Sequence, residues 1–241
     1  MNAFTLPIRR WHAWAPGVVD AAAWQQWAEQ GAAVLPAATA NAPVEFVEPM
    51  LRRRLSPLSR VALHCAHAAL AGERAEQLIF ASRHGELGTT VNLLRQLAQG
   101  EALSPMGFSL SVHNSAAGLY GIAGKDATPA TAIAAGRDSL LACLLEAAAM
   151  RASGINAVLI SYVEQDLPAP YQPWQDAEAP LLGLGLLIAD GGVPLQLCRD
   201  PNNSAYASPA LALICALTGA LTGKNAAILV GEQSSWVVRH G

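Results

Sequence analysis

The stretch from Ser139 to Ala152 constrains this chain more than any other. It has the composition of a helix closed by Gly154, and between Leu140 and Met150 only Glu146 is polar. A surface helix carries an apolar stripe and a polar face, whereas one that is apolar all round is covered on both sides. The helix therefore belongs between a sheet and a second layer, supplied by this chain or by a partner.

Strand and helix signals alternate around it. Pro57 to Ala71 is rich in Ala and Leu with apolar spacing and is stopped by Gly72, which predicts a helix. Leu78 to Ser82 predicts a short buried strand. Leu87 to Gln99 and Asn114 to Ala123 predict helices ended by Gly100 and Gly124, while Ala130 to Ala135 and Ala157 to Val163 predict strands. Leu182 to Ala189 is a further apolar run, which Asp190-Gly191-Gly192 turns into Pro194 to Cys198. The tail adds a helix over Pro209–Leu217 and a strand over Trp236–Arg239. Such alternation gives an α/β fold with a mixed, mostly parallel sheet covered by helices. The two late strands about the Gly-Gly turn predict an antiparallel edge. No repeat or low-complexity linker divides the chain, so residues 1–241 read as a single domain.

Composition removes several function classes. With 52% hydrophobic and 14% charged residues the chain can form a large core but has few charges to cover its surface, so part of that surface is expected against a partner. A net charge of −3, with no basic run beyond Arg52, Arg53 and Arg54, leaves no footprint for nucleic acid. Four separated cysteines without a CxxC predict buried, reduced thiols and a cytoplasmic protein. His64, Cys65 and His67 have the chemistry of metal ligands, but they lie on a helix without a fourth ligand, and no metal is expected. Arg9-Arg10 is followed by no apolar core, so no secretory or twin-arginine signal is expected. Residues 201–223 carry no charge, yet the apolar part from Pro209 reads as a helix buried in protein, not a membrane span. No nucleotide-binding glycine loop, GxSxG elbow or HExxH motif is present. Leu182-Gly183-Leu184-Gly185-Leu186 is a strand and not a phosphate loop, so no cofactor is expected.

Three segments, in order, carry a resemblance. Trp11-His12-Ala13-Trp14-Ala15-Pro16-Gly17 comes first, then Phe80-Ala81-Ser82-Arg83-His84-Gly85-Glu86-Leu87, then Ser104-Pro105-Met106-Gly107-Phe108-Ser109-Leu110-Ser111-Val112-His113-Asn114-Ser115-Ala116-Ala117-Gly118. They resemble the first strand, the SRxGE segment and the SPxxFSxSVHNAxAG segment of the β-ketoacyl synthase-like N-terminal domain family, across residues 5–165. The resemblance implies the N-terminal half of a thiolase-like fold.

In an active ketosynthase a strand ends in an AC[ST]S[GS] turn, and the cysteine opens a long apolar helix whose N-terminus activates the thiol. On that resemblance Gly136 stands where the cysteine would be, or Arg137 with a one-residue shift. Neither forms an acyl-enzyme. Cys143 lies about two turns into the helix, beyond the free N–H groups, and reads as a structural thiol. The family's two catalytic histidines belong to HGTGT and NSFGFGGxNxxL motifs of a C-terminal half, and neither motif occurs here. His113 reads as a residue that fixes a local turn by hydrogen bonds rather than as a proton carrier.

The resemblance also implies a dimer. The strand Ala130–Ala135 lies at the sheet edge and pairs across the dimer axis, so His113, Asn114, Thr131 and Ile133 are the expected interface residues. Met106, Gly107 and Phe108 are expected to line the partner's acyl tunnel. The implied function is that of a non-catalytic, chain-length-factor subunit similar to the half-length ketosynthase-like protein of aryl polyene pathways. A full-length β-ketoacyl synthase would be its partner and perform decarboxylative Claisen condensation on substrates borne by an acyl carrier protein. Two alternatives stay open: an acyl thioester hydrolase or transferase using Ser111, His113 or Ser115, and a homodimeric scaffold.

Overall fold

The computed structural model describes residues 3–31, 35, 40–175, 181–200, 208–219, 227–232 and 235–241. Among these, one sheet contains β1 (Ala3–Trp14), β2 (Gln77–Ala81), β3 (Ala130–Ile133), β4 (Ala157–Glu164), β5 (Leu182–Ala189), β6 (Val193–Asp200), β7 (Ala227–Val230) and β8 (Ser235–His240). Their order is β3-β2-β4-β5-β1-β6-β8-β7. The helices are α1 (Ala21–Glu29), α2 (Pro49–Arg52), α3 (Pro57–Leu70), α4 (Leu87–Ala98), α5 (Pro105–Ser109), α6 (Ser115–Gly124), α7 (Ser139–Ala152) and α8 (Pro209–Leu217), with a 3₁₀ segment over Ala169–Trp174. Every strand and helix expected from the sequence is present. The helices α1, α2 and α5, the 3₁₀ segment and the strand β7 are additions.

Strand alternation divides the core in two. Even-numbered residues of β4 and β5, such as Ile160, Leu184 and Leu186, join β2 residues Ile79 and Ala81 in a core shared with α1, α7 and α8. Residues of opposite parity, among them Phe80, Leu159, Val163 and Leu187, face α3 and α6. Side chains of successive strand residues point to opposite faces, and this requires a strand covered on both sides to be apolar throughout. β5 meets that requirement, with all eight residues buried.

Two expectations are corrected. The mixed α/β class stands, but the sheet is not mostly parallel: five of the seven pairings are antiparallel, and only β2–β3 and β2–β4 are parallel. A parallel crossover needs a dozen or more residues, usually a helix. Between β4 and β5 the described residues hold only the 3₁₀ segment, so β5 returns antiparallel beside β4. Second, the Asp190-Gly191-Gly192 turn makes neither a hairpin nor an edge. β1 lies between β5 and β6, pairing through Ala3–Ile8 with β6 and from Ile8 to Trp14 with β5. The turn crosses over β1 at Ile8 and Arg9, where the β1 register also shifts.

The central helix α7 is half-covered. Leu140, Cys143, Leu144 and Ala147 are buried against the sheet, whereas Leu141, Leu145, Ala148 and Met150 remain partly open. No described helix is long and apolar enough to cross a membrane. Residues 201–207 and 220–226, parts of the uncharged stretch and its flank, lie outside the described residues.

The three candidate metal ligands of α3 point apart. Cys65 is buried in the core, and His67 stacks on Phe46 with ring centroids 3.9 Å apart. His64 meets His12 of β1, Nε2 to Nε2, at 3.0 Å. His64 Nδ1–H donates to the Pro43 carbonyl at 2.7 Å. A neutral His64 therefore presents a lone pair on Nε2, and His12 Nε2–H donates to it. Burial, and then the neighbouring His64, push the His12 pKa down to about 4, with Asp20 opposing; burial lowers His64 as well.

The unfolded chain takes up these protons first. Stability from the neutral pair is complete above about pH 6.5 and is lost as pH falls from there towards 4. With one side of the pair open to solvent, we expect about 1–2 kcal/mol of this loss to come from His12. Urea unfolding at pH 7 and pH 5 checks it. His12→Gln keeps a donor without titrating and should shrink the difference, and an unchanged difference would rule the pair out as its source.

Candidate functional site

The junction between β3 and α7 is a tight turn. Gly136 has φ +56°, a left-handed conformation that glycine adopts without steric cost. Ser139 fastens the turn from inside: its Oγ accepts from Ala135 N–H at 2.9 Å and donates to the Gly136 carbonyl at 2.7 Å. From outside, Glu232 Oε1 accepts from Arg137 N–H at 3.3 Å, and Glu232 N–H donates to Asp138 Oδ1 at 3.1 Å. Residues 134–139 contain no thiol. Cys143 is buried within α7 with Sγ–H directed at the Leu140 carbonyl, 3.0 Å away, and burial pushes its thiol pKa up.

The two polar sequence segments meet beneath this turn. His113 Nε2–H donates to the Ser82 carbonyl at 2.9 Å, and Gly85 N–H donates to Ser82 Oγ at 2.7 Å. Arg83 N–H donates to Glu164, whose carboxyl is pushed up by burial. Glu86 is buried and accepts three hydroxyls: Ser56 and Ser59, each at 2.6 Å, and Thr89 at 2.9 Å. These bonds tie β2, α3, α4 and the segment before α6 into one hub. His113 thus bonds to Ser82, 31 residues away, rather than within its own turn. Ser111 Oγ is spent on the Phe108 carbonyl at 2.8 Å, and Ser115 Oγ is buried without a hydrogen-bond partner. Among the described residues no serine–histidine pair forms.

The third feature is an apolar face. Met106 and Phe108 on α5 are 47% and 64% exposed, and Ile122 on α6 is 67% exposed. Met106 and Ile122, with Leu51, Leu110, Val112 and the Arg54 side chain, line a groove of about 400 Å³. Asn114 is exposed and lines the same groove, while Gly107 is held by Ser104 Oγ. α4 adds Leu94 and Leu97, both exposed, and buries only Val91. Neither α4 nor Ile122 stood out in the sequence, although the Leu93-Leu94 and Leu97 spacing on a helix with one buried position was the signal.

Beside this face β3 forms one edge of the sheet, and α6 packs against it. Thr131 and Ile133 lie on β3, both half-buried. The carbonyls of Pro129 and Ile133 accept from Leu78 N–H and Ser82 N–H on the β2 side. Odd-numbered residues of β3 thus turn their backbone groups to β2, and Ala130 and Ala132 turn theirs outward.

Residues 24–237 match the family model described as β-ketoacyl synthase, N-terminal domain. The chain belongs to this family. Among solved structures, a chain of the ketosynthase ApeO in complex with its chain length factor ApeC, from Xenorhabdus doucetiae, superposes with TM-score 0.85 at 27% identity. The match covers 98% of this chain and 99% of that one. The ishigamide ketosynthase/chain length factor follows at TM-score 0.65 and 20% identity, over 90% of this chain and 74% of that one. A β-ketoacyl synthase from Burkholderia phymatum matches at TM-score 0.57 and 11% identity, over 90% and 69%. The last two show the shared thiolase-like fold. None of the curated proteins matches by sequence.

The junction at Gly136 is the strand-to-helix turn between β3 and α7, and residues 134–139 there hold no thiol. Two features, a sheet edge at β3 left unpaired among the described residues and an apolar helical face, are those of a contact surface.

Proposed function

We propose that this chain is a non-catalytic, chain-length-factor-like subunit that pairs with a full-length β-ketoacyl synthase and shapes its acyl tunnel. The observation that carries the reading is the uncharged β3 edge, unpaired among the described residues and beside the exposed face of Met106, Phe108 and Ile122, in a chain with no thiol at its elbow. An unpaired edge strand left in water invites pairing, and a strand from the partner satisfies its N–H and C=O groups. The open side of α7 is covered by the same association. The similarity to a chain of the ApeO–ApeC complex over nearly the whole of both chains supports the pairing.

In this reading residues 1–241 act as one half-thiolase unit in the cytoplasm. Met106, Gly107 and Phe108 reach the partner's acyl site. His113, through the hub, and Asn114, Thr131 and Ile133 support the seam. Gly136, or Arg137 with a one-residue shift, replaces the nucleophile. The partner supplies the cysteine and histidines for decarboxylative Claisen condensation. Substrates arrive on an acyl carrier protein, in a pathway of the aryl polyene or type II fatty-acid-like kind.

Co-expression with the full-length ketosynthase of the same pathway tests the proposal. We expect the two chains to co-purify and elute together at micromolar concentration. Phe108→Ala, made in the complex, should move the product distribution to longer chains, since it deletes a large side chain from the expected tunnel wall. Separate elution of the two wild-type chains would defeat the pairing.

A further inference from the structure

Glu232 belongs to none of the segments that carry the family resemblance, yet it reaches the elbow from 95 residues away. Two reciprocal bonds hold it there: its carboxylate takes Arg137 N–H, and its own N–H is taken by Asp138. Asp138 gives no side-chain cap to α7, so its carboxylate is committed to Glu232 instead. A Cβ placed on Gly136 would lie 2.5 Å from Glu232 Oε1 and 3.5 Å from its Cδ. The exposed Glu232 carboxylate thus lies where the Cβ of a side chain at position 136 would sit, and it has to swing aside from Arg137 N–H to admit one.

We propose that Glu232 is a second inactivating residue of the elbow, whose carboxylate stands in the place of the missing nucleophilic side chain and closes the turn to acyl groups. The inference rests on the reading of this chain as non-catalytic and adds a cause beyond the glycine. Two effects act together. The side chain of a restored cysteine meets the carboxylate below van der Waals distance, and a neighbouring anion disfavours the thiolate that attacks a thioester. While Glu232 keeps its bond to Arg137 N–H, Gly136→Cys alone is therefore expected to give a slowly reacting thiol.

The test uses the full chain with Gly136→Cys, alone and combined with Glu232→Gln or Glu232→Ala. Iodoacetamide alkylation is followed by mass spectrometry of the peptide holding residue 136, with buried Cys65 and Cys143 as slow internal references. We expect slow alkylation in the single variant. It should be about tenfold faster when Glu232→Gln removes the charge, and faster again when Glu232→Ala also removes the bulk. A single variant that reacts as fast as the double ones overturns the proposal. Should the cysteine variants fail to fold, Glu232→Ala in the otherwise unchanged chain gives a second reading. The Arg137 amide should lose hydrogen-exchange protection while the β4 amides keep theirs, and unchanged protection at Arg137 overturns the proposal equally. Neither readout involves a ketosynthase, so a failed heterodimer and a failed plug are told apart.

Discussion

Gly185→Val is expected to be the most destabilising single substitution in the sheet. Gly185 sits on the α3 side of β5, where a Cβ would lie 2.9 Å from Ala69 Cβ and collide with the Cys65 carbonyl. The obstacle is largely helix backbone, so no rotamer change relieves it, and α3 has to move off the sheet. That movement opens the core of Val61, Cys65, Ala66, Phe80 and Leu159 and pulls Ser59 from Glu86 in the hub. Overpacking of a core costs about 1–3 kcal/mol where side chains can shift. Against backbone we expect about 3 kcal/mol or more, which lowers the melting temperature by about 6–12 °C in a chain of this size. Thermal unfolding followed by circular dichroism measures it, with Gly185→Ala falling between wild type and valine. A valine variant that melts with the wild type would mean that α3 does not rest on β5 at this distance.

That contact also shows what was legible in the sequence. The Leu-Gly-Leu-Gly-Leu run was readable as a strand, but the reason for its glycines was not, because α3 lies more than a hundred residues earlier in the chain. α7 was legible because its composition alone demands a cover. The elbow was legible because strand and helix signals bracket Gly136, whereas Glu232 approaches through tertiary structure and leaves no local trace. The direction of β5 was written locally and misread: Pro168, Pro170 and Pro173 disfavour an α-helix after β4, and without a crossover helix β5 returns antiparallel. The insertion of β1 between β5 and β6 had no such mark, since a Gly-Gly turn serves a hairpin and a crossover alike. Thr131 and Ile133 were placed on the right strand. Which parity of that strand looks outward depends on register with β2, and sequence does not state register.

Register now selects a sharper test of the subunit seam. Ala132 presents its N–H and C=O away from β2, while its neighbours Thr131 and Ile133 hold the β2–β3 ladder. Ala132→Pro removes one outward donor and leaves the inner bonds in place, and proline is tolerated on an edge strand whose N–H faces outward. In the isolated chain the melting temperature should therefore change little. In the complex the same substitution strands an acceptor on the ketosynthase's facing strand and pushes the two strands apart with the proline ring. Loss of a buried hydrogen bond together with an unsatisfied partner group costs about 2–3 kcal/mol, which corresponds to roughly 30- to 150-fold weaker association. Titration calorimetry with the full-length ketosynthase measures this, and Ala132→Val, which keeps the N–H, should bind within about twofold of wild type. Phe108→Ala serves as the contrast, since loss of an apolar contact on α5 weakens association without touching the strand. If Ala132→Pro binds as tightly as wild type while its fold is intact, the β3 edge is not where the two subunits join, and the apolar face of α4, α5 and α6 has to hold the partner without it.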